Sequence, residues 1–318
     1  MSSTAESTPG EAPVTSGGTP PEPAGGLARG LVRTIRPRQW VKNVLVLAAP
    51  FAAYAADPVF RTDVVVDAGI AFVAFCLVAS AVYLVNDAID VEADRAHPTK
   101  RNRPIAAGVV PLRLAYALAA AFFAASFAVS LVSSWRLLIV IGVYAAVQLG
   151  YCFGLKHQPV IDLCIVASGF LLRAIAGGAA AGLPLSQWFL LVTAFGSLFM
   201  VAGKRYAEIV LYERTGAAIR ASLSKYSASY LRFVWATSAA IMIMTYALWA
   251  FEIRQRTGTN SVWAVISIVP FVVAVLRYAV DVDGGMAGEP EDILRRDRVL
   301  QLMALLWIGT IGAAVVFG

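Results

Sequence analysis

The chain has 318 residues, 59% of them apolar and only 14% charged, with a mean hydropathy of +0.71 and a formal net charge of +6. A soluble domain carries about 25% charged residues, so this composition excludes a water-soluble globular enzyme and predicts an all-α polytopic membrane protein surrounded by lipid, with no nucleic-acid partner. Cys76, Cys152 and Cys164 lie in apolar segments without CxxC spacing, which argues against a disulfide framework or a zinc site.

Residues 1–26 are rich in Ser, Thr, Gly, Pro and Glu and contain no apolar run. They read as a disordered tail, and the absence of a basic start followed by an apolar core argues against a cleaved secretory leader. Residues 27–318 read as one membrane domain. Within it, 28–41 are basic and amphipathic and are expected to lie along the membrane interface. Apolar runs then predict nine transmembrane helices near 42–56, 65–88, 111–132, 135–153, 159–182, 185–210, 229–251, 260–280 and 299–317. The first is the shortest and is interrupted by Pro50. Gly- and Ala-rich runs permit close helix packing and leave room for a homo-oligomer.

Nine spans sort the basic residues sharply. Only Arg61, Arg136, Arg254 and Arg256 fall in the loops on one side, and Arg173 falls inside the fifth span; the rest of the 26 Lys and Arg lie on the other side. That second side, which includes the N-terminus, is predicted to be cytoplasmic in a plasma-membrane protein.

Polar motifs gather on this side. The first is Arg36-Pro-Arg-Gln-Trp-Val-Lys-Asn43. Arg36, Arg38 and Trp40 suit an interfacial anchor as well as a site, whereas Lys42 and Asn43 sit deeper and suit a site. The second begins where the second span ends. Asn86, Asp90 and Asp94 follow at i, i+4 and i+8, with Asp87 beside them, and so line one helix face. Carboxylates at membrane depth are costly and mark function, and oxygen ligands at this spacing suit Mg2+ carrying substrate phosphates. Arg101 and Arg103, just beyond, suit those phosphates, while Glu92 points off the face.

The third motif is Tyr151-Cys-Phe-Gly-Leu-Lys-His157 with Asp162. Lys156 suits a helix C-terminus as well as a ligand, and His157 has no partner at metal-ligand spacing. Asp162 and Arg173 are eleven residues apart, so they can face one cavity without pairing directly. The fourth is Gly203-Lys-Arg-Tyr-Ala-Glu208, where Lys204 and Glu208 form an i,i+4 pair. A basic loop with Arg214, Arg220, Lys225, Tyr226 and Arg232 follows, suited to an anionic ligand or to headgroups. The last basic loop, Asp281–Arg298, reads as a solvated connection.

Asn86-Asp-x-x-Asp90-x-x-x-Asp94, the Arg-Pro of the N-terminal segment, the Tyr151…Lys156 motif and nine helices together resemble the UbiA superfamily of intramembrane prenyltransferases over residues 30–317. The resemblance implies a UbiA-like helical bundle with a cytoplasmic-side active site and Mg2+ as cofactor. One departure stands out. Most of that superfamily carries a second aspartate-rich motif, DxxxDxxxD, after helix 6, where this chain has Lys204-Arg-Tyr-Ala-Glu208. This, with the Arg36–Asn43, Phe153–His157 and Pro159–Asp162 segments, resembles the branch that transfers 5-phosphoribose from 5-phosphoribosyl-1-diphosphate (PRPP) to decaprenyl phosphate or another polyprenyl phosphate, feeding cell-wall arabinan.

What that branch implies is a site with Asn86, Asp87, Asp90 and Asp94 on the metal. Lys42, Asn43, Arg101, Arg103, Tyr151, Lys156 and Arg205 would hold the donor, and Asp90, Asp94, Asp162, Lys204 and Glu208 would stand at the reacting centre. Two other readings stay open. One is a UbiA-type aromatic prenyltransferase of quinone or haem biosynthesis, which would want the second acidic cluster. The other is a transporter of a phosphorylated metabolite, although transporters often show repeated halves with broken helices and no repeat is evident here.

Overall fold

The computed structural model describes residues 26–56, 61–216, 223–256, 262–286, 293 and 296–317. The expected tail lies outside these except for Gly26, as do Arg220 and Arg295. Among the described residues every regular element is helical.

The chain begins with α1 (Leu27–Ile35), a 3-10 run (Pro37–Leu47) and α2 (Ala48–Ala56). Then come α3 (Thr62–Ile89), the short α4 (Val91–Ala96), α5 (Leu112–Ser133), α6 (Trp135–Cys152) and α7 (Ile161–Ala180). The second half holds α8 (Gln187–Thr215), α9 (Ala228–Arg256), α10 (Trp263–Ile266), α11 (Ile268–Asp283) and α12 (Arg298–Phe317). Among the described residues eight helices are long and apolar enough to cross a membrane, with α10 and α11 counted as one. They match the predicted second to ninth spans, so the chain is a multi-pass membrane protein.

The first predicted span is not one α-helix. Its entry is an 11-residue 3-10 run and its remainder the 9-residue α2. At about 2.0 Å per 3-10 residue and 1.5 Å per α residue, the whole run from Pro37 to Ala56 has a nominal reach of about 35 Å, but the predicted span 42–56 reaches only about 25 Å, short of a hydrocarbon core of about 30 Å. Pro50 explains the change of pitch. It has no N–H, so the Val46 carbonyl cannot receive its ordinary α-helical donor, and Pro50 is tolerated only in the first turn of α2.

The stretched segment runs antiparallel to α3 and is stitched to it. Arg36 reaches Asp87, Trp40 Nε1 donates to Ser80 Oγ (3.1 Å), and Asn43 Nδ2 donates to Cys76 Sγ (3.3 Å). Between Trp40 and Asn43 three 3-10 residues thus match the four α residues between Ser80 and Cys76, which is the ratio of the two rises. Within 28–41, the stretch expected to lie along the interface, Val32 and Val41 are exposed and Trp40 is half-buried against α3.

Two cores share α7. Buried residues of α3, α5 and α6 form one, with α7 contributing Ala176 and Ala180; α7, α8, α9 and α11 form the other through Leu163, Ala167, Phe199, Tyr206 and Val275. Small residues set the close contacts. Ala71, Ala74, Ala115 and Ala119 are buried between α3 and α5, where Ser126 Oγ donates to the Ala74 carbonyl (2.8 Å). α3 is the most enclosed of the spanning helices, as a helix apolar on all sides requires. Its C-terminal end therefore emerges at the centre of the bundle.

Candidate active site

α3 stops at Ile89 because Asp90 leaves helical geometry (φ −84°, ψ 7°). The hydrogen-bond ladder continues across this kink: the Asp90 N–H donates to the Asn86 carbonyl (3.0 Å) and the Asp94 N–H to the Asp90 carbonyl (2.8 Å). The predicted single face of Asn86, Asp90 and Asp94 is thus bent at its middle member but keeps its register. Pro98 follows His97, the C-cap of α4.

Each carboxylate meets a base. Asp87 is buried and receives Arg36 Nη2 at 2.6 and 2.7 Å and Arg103 Nη1 at 3.0 Å. The same Arg103 nitrogen reaches Asp94 Oδ2 at 2.8 Å, and Asp94 is buried too. Asp90, more open, pairs with Lys156 Nζ at 2.5 Å. Lys156 comes from the turn after α6, and Arg103 from the loop after α4, so three chain segments converge on one acidic patch.

Arg36 was only half assigned to the site from sequence. Its Cζ lies 4.7 Å from the Tyr83 ring centroid, and its backbone is left-handed (φ 57°, ψ 57°). A non-glycine residue there is strained, and the following Pro37 makes the α1 junction rigid. The Arg-Pro dipeptide was the available sign, since a residue before proline is barred from ordinary helix.

A second group lies where α7 meets α8. Asp162 is buried, and its Oδ2 lies 2.6 Å from Arg205 Nη1, although the guanidinium N–H is not aligned on that oxygen. The Tyr226 hydroxyl donates to Asp162 Oδ1 and accepts the Val160 N–H (2.6 Å). Val160 carries φ 68°, a costly value for a β-branched residue. Lys225 Nζ adds a bond to the His157 carbonyl (2.7 Å), so the segment after α8 straps the one before α7.

Burial first, then the bond to the Asp162 carboxylate, pushes the Tyr226 phenol above its ordinary range. It therefore stays a neutral donor in the folded state. Its contribution to stability is complete below the unfolded phenol's pKa of about 10 and falls as pH rises beyond that. Tyr226→Phe is expected to cost about 1–3 kcal/mol at pH 7. The gap to wild type, read by thermal unfolding in detergent, should narrow above about pH 10.

Asp162 and Arg173 do not share a cavity as their spacing allowed. Asp162 turns to α8, whereas Arg173 Nε donates to Asn43 Oδ1 (2.8 Å), Nη1 to the Gly169 carbonyl (2.6 Å) and Nη2 to Tyr144 Oη (3.1 Å). Both ends of the Asn43 amide are thus engaged, by Arg173 and Cys76, within the bundle. Arg101 is exposed; Lys42, Tyr151, Lys204 and Glu208 are half-buried. Lys204 and Glu208, although at i,i+4, do not pair with each other: among the described residues Lys204 has no ion-pair partner, whereas its neighbour Arg205 does. α8 also continues to Thr215, so this cluster sits within the helix rather than at its end. His157 is exposed, and Glu92 pairs with Arg95 at the surface.

No three His, Cys, Asp or Glu side chains cluster tightly enough among the described residues to enclose a metal by themselves. Asn86, Asp90 and Asp94 nonetheless fit Mg2+. They offer hard oxygens, and this ion is usually held by one or two carboxylates and completed by substrate phosphate and water. Asp87 fits less well, because both its oxygens serve Arg36 and Arg103.

Comparisons with known proteins bear on the fold and the family. The model of the UbiA prenyltransferase family matches residues 44–316. The chain is 60% identical over 298 residues to the decaprenyl-phosphate phosphoribosyltransferase of Mycobacterium tuberculosis, covering 93% of this chain and 98% of that one. To the protein of that name from Mycolicibacterium smegmatis it is 59% identical over 302 residues, covering 93% and 95%. A solved UbiA homolog from Archaeoglobus fulgidus, bound to DMAPP and Mg2+, superposes with a TM-score of 0.66 at 16% identity, covering 90% of this chain and 99% of that one. By its fold and by a match spanning nearly all its transmembrane helices, the chain belongs to the UbiA prenyltransferase family.

Proposed function

We propose that this chain transfers 5-phosphoribose from PRPP to decaprenyl phosphate with release of diphosphate, at the cytoplasmic face of the plasma membrane, supplying a precursor of cell-wall arabinan. The observation that carries the reading is the identity of about 60%, over nearly their whole length, to transferases of that name. The balance of charge at the site supports it. Where most of the superfamily has a second acidic motif, this chain has Lys204 and Arg205, the latter held by Asp162.

The chemistry explains why bases are wanted. Two phosphorylated substrates bring three anionic groups together: diphosphate, 5-phosphate and lipid phosphate. The bond from ribose C1 to the diphosphate oxygen breaks, and its electron pair leaves with diphosphate. An oxygen of the lipid phosphate forms the new bond to C1. That oxygen is already deprotonated, so no general base is required, and the protein's part is positioning and electrostatic stabilisation.

We assign Lys156 and Arg103, each beside a motif carboxylate, to the diphosphate oxygens. Magnesium bound at Asn86, Asp90 and Asp94 would neutralise the leaving diphosphate. Asp87 is assigned to fixing Arg36 and Arg103, and Asn43 to fixing Arg173. We assign Lys204, Lys42 and Glu208 to the lipid phosphate and the ribose.

Purified protein given labelled PRPP, decaprenyl phosphate and Mg2+ should pass label into lipid, and excess chelator should abolish this. Label entering lipid only from polyprenyl diphosphate and an aromatic acid would replace this reading with that of an aromatic prenyltransferase.

A further inference from the structure

Beside the acidic motif, on the side of Asp87, a cavity of about 280 Å³ opens between α1, the end of α3 and the loop after α4. Its bases are Arg33, Arg36, Lys100 and Arg103, and Thr99 and Asn102 add a hydroxyl and an amide. Arg36 and Arg103 are anchored on Asp87, and Arg103 also on Asp94. Arg33 and Lys100 have no acid partner among the described residues.

Four bases line the cavity, offset by Asp87 in its wall and by Asp94, outside the lining, which pairs with Arg103. The excess of two positive charges matches a phosphate monoester, which carries about −1.5 to −2 at pH 7. Gly30 keeps the wall in place: a Cβ there would come within 2.8 Å of Val109 Cγ1, so α1 lies directly on the loop that supplies Lys100 and Arg103.

We infer that this cavity seats the 5-phosphate of the ribosyl donor. The inference rests on the transferase reading above and extends it to a subsite that a plain prenyl diphosphate would leave empty. Both substrates carry a phosphate monoester, and the lining decides between them. Apart from Pro104 it is polar or charged, so it offers no wall for a polyprenyl chain but suits a sugar phosphate. Arg103 spans the gap to the motif, with one nitrogen 3.0 Å from Asp87 and 2.8 Å from Asp94. A sugar docked here by its 5-phosphate would lie beside the motif that Arg103 reaches at Asp94.

The test is the double substitution Arg33→Gln with Lys100→Gln, assayed in nanodiscs. The KM for PRPP should rise about tenfold or more, outweighing any change in kcat, while the KM for decaprenyl phosphate stays as in wild type. Equilibrium binding of ribose 5-phosphate should weaken in parallel, and Arg33→Lys with Lys100→Arg should recover most of both. An unchanged KM for PRPP would overturn the assignment. So would a rise confined to the lipid substrate, or an effect that disappears in purely zwitterionic lipid, which would mark a headgroup site. If wild type bound ribose 5-phosphate through these residues yet failed to use PRPP, the cavity would stand and the transferase reading would fall.

Discussion

Asp90→Asn is expected to reduce turnover by roughly 10²–10³-fold, the range seen when one preorganised electrostatic contact is removed from a reacting centre, while leaving thermal unfolding within a few degrees of wild type. Asp90 combines the two properties this result requires. It is the central member of the Asn86–Asp90–Asp94 set, and it is the most open of the three motif carboxylates, with 27% side-chain exposure against 2–3% for Asp87 and Asp94. Its one ion pair, to the partly exposed Lys156, contributes little to stability.

The amide keeps the shape and the backbone kink but gives up the charge that a divalent ion and Lys156 both need. Turnover of labelled PRPP at saturating Mg2+, measured beside a melting curve, separates the effects. Near-normal turnover would remove Asp90 from the site, and a collapse of the melting transition would make it a structural residue instead. Asp87 could not serve for this experiment, because removing its charge strands the strained Arg36 and half of the Arg103 bridge.

The spanning helices were legible because the bilayer imposes a length and a composition on them. Predicted limits of 65–88 and 135–153 became Thr62–Ile89 and Trp135–Cys152. The acidic motif was legible for a related reason: charge is so costly at the end of an apolar helix that Asn86, Asp90 and Asp94 stand out without any partner in view. The partners did not. Nothing local links Arg36 to Asp87, Arg103 to both Asp87 and Asp94, or Tyr226 to Asp162, because each contact joins segments whose approach is set by packing elsewhere.

Arg173 shows the same limit. Its spacing from Asp162 was compatible with a shared cavity, yet about 16 Å of separation along α7 lets one reach Arg205 on α8 and the other Asn43. The 3-10 entry to the first span was half legible. Pro50 marked the irregularity, but sequence could not say that the chain would stretch before the proline rather than bend at it.

Gly177→Ala is expected to have the largest effect on stability of any single-methyl change in the first half of the bundle, about 3 kcal/mol, the upper part of the range for overpacking. A Cβ at this position would lie 1.9 Å from the Val46 carbonyl oxygen and 2.9 Å from Pro50 Cδ. The first of these is a backbone atom that no rotamer change can withdraw. The carbonyl is there because Pro50 deprives it of an α-helical donor, so α7 offers a Cα–H surface in its place.

Relief would require the 3-10 segment to move off α7. That segment also carries Asn43 against Arg173 and Trp40 against Ser80, and begins at the Arg36 that holds Asp87. Gly142→Ala on α6 is the matched control, because a Cβ there meets nothing within 4 Å and the better helix former should be neutral or slightly stabilising. Melting curves of the two variants in the same detergent should differ by several degrees, with only Gly177→Ala falling below wild type. Equal midpoints would mean that the first span is free to move away from α7, and that the acidic motif is positioned by α3 alone.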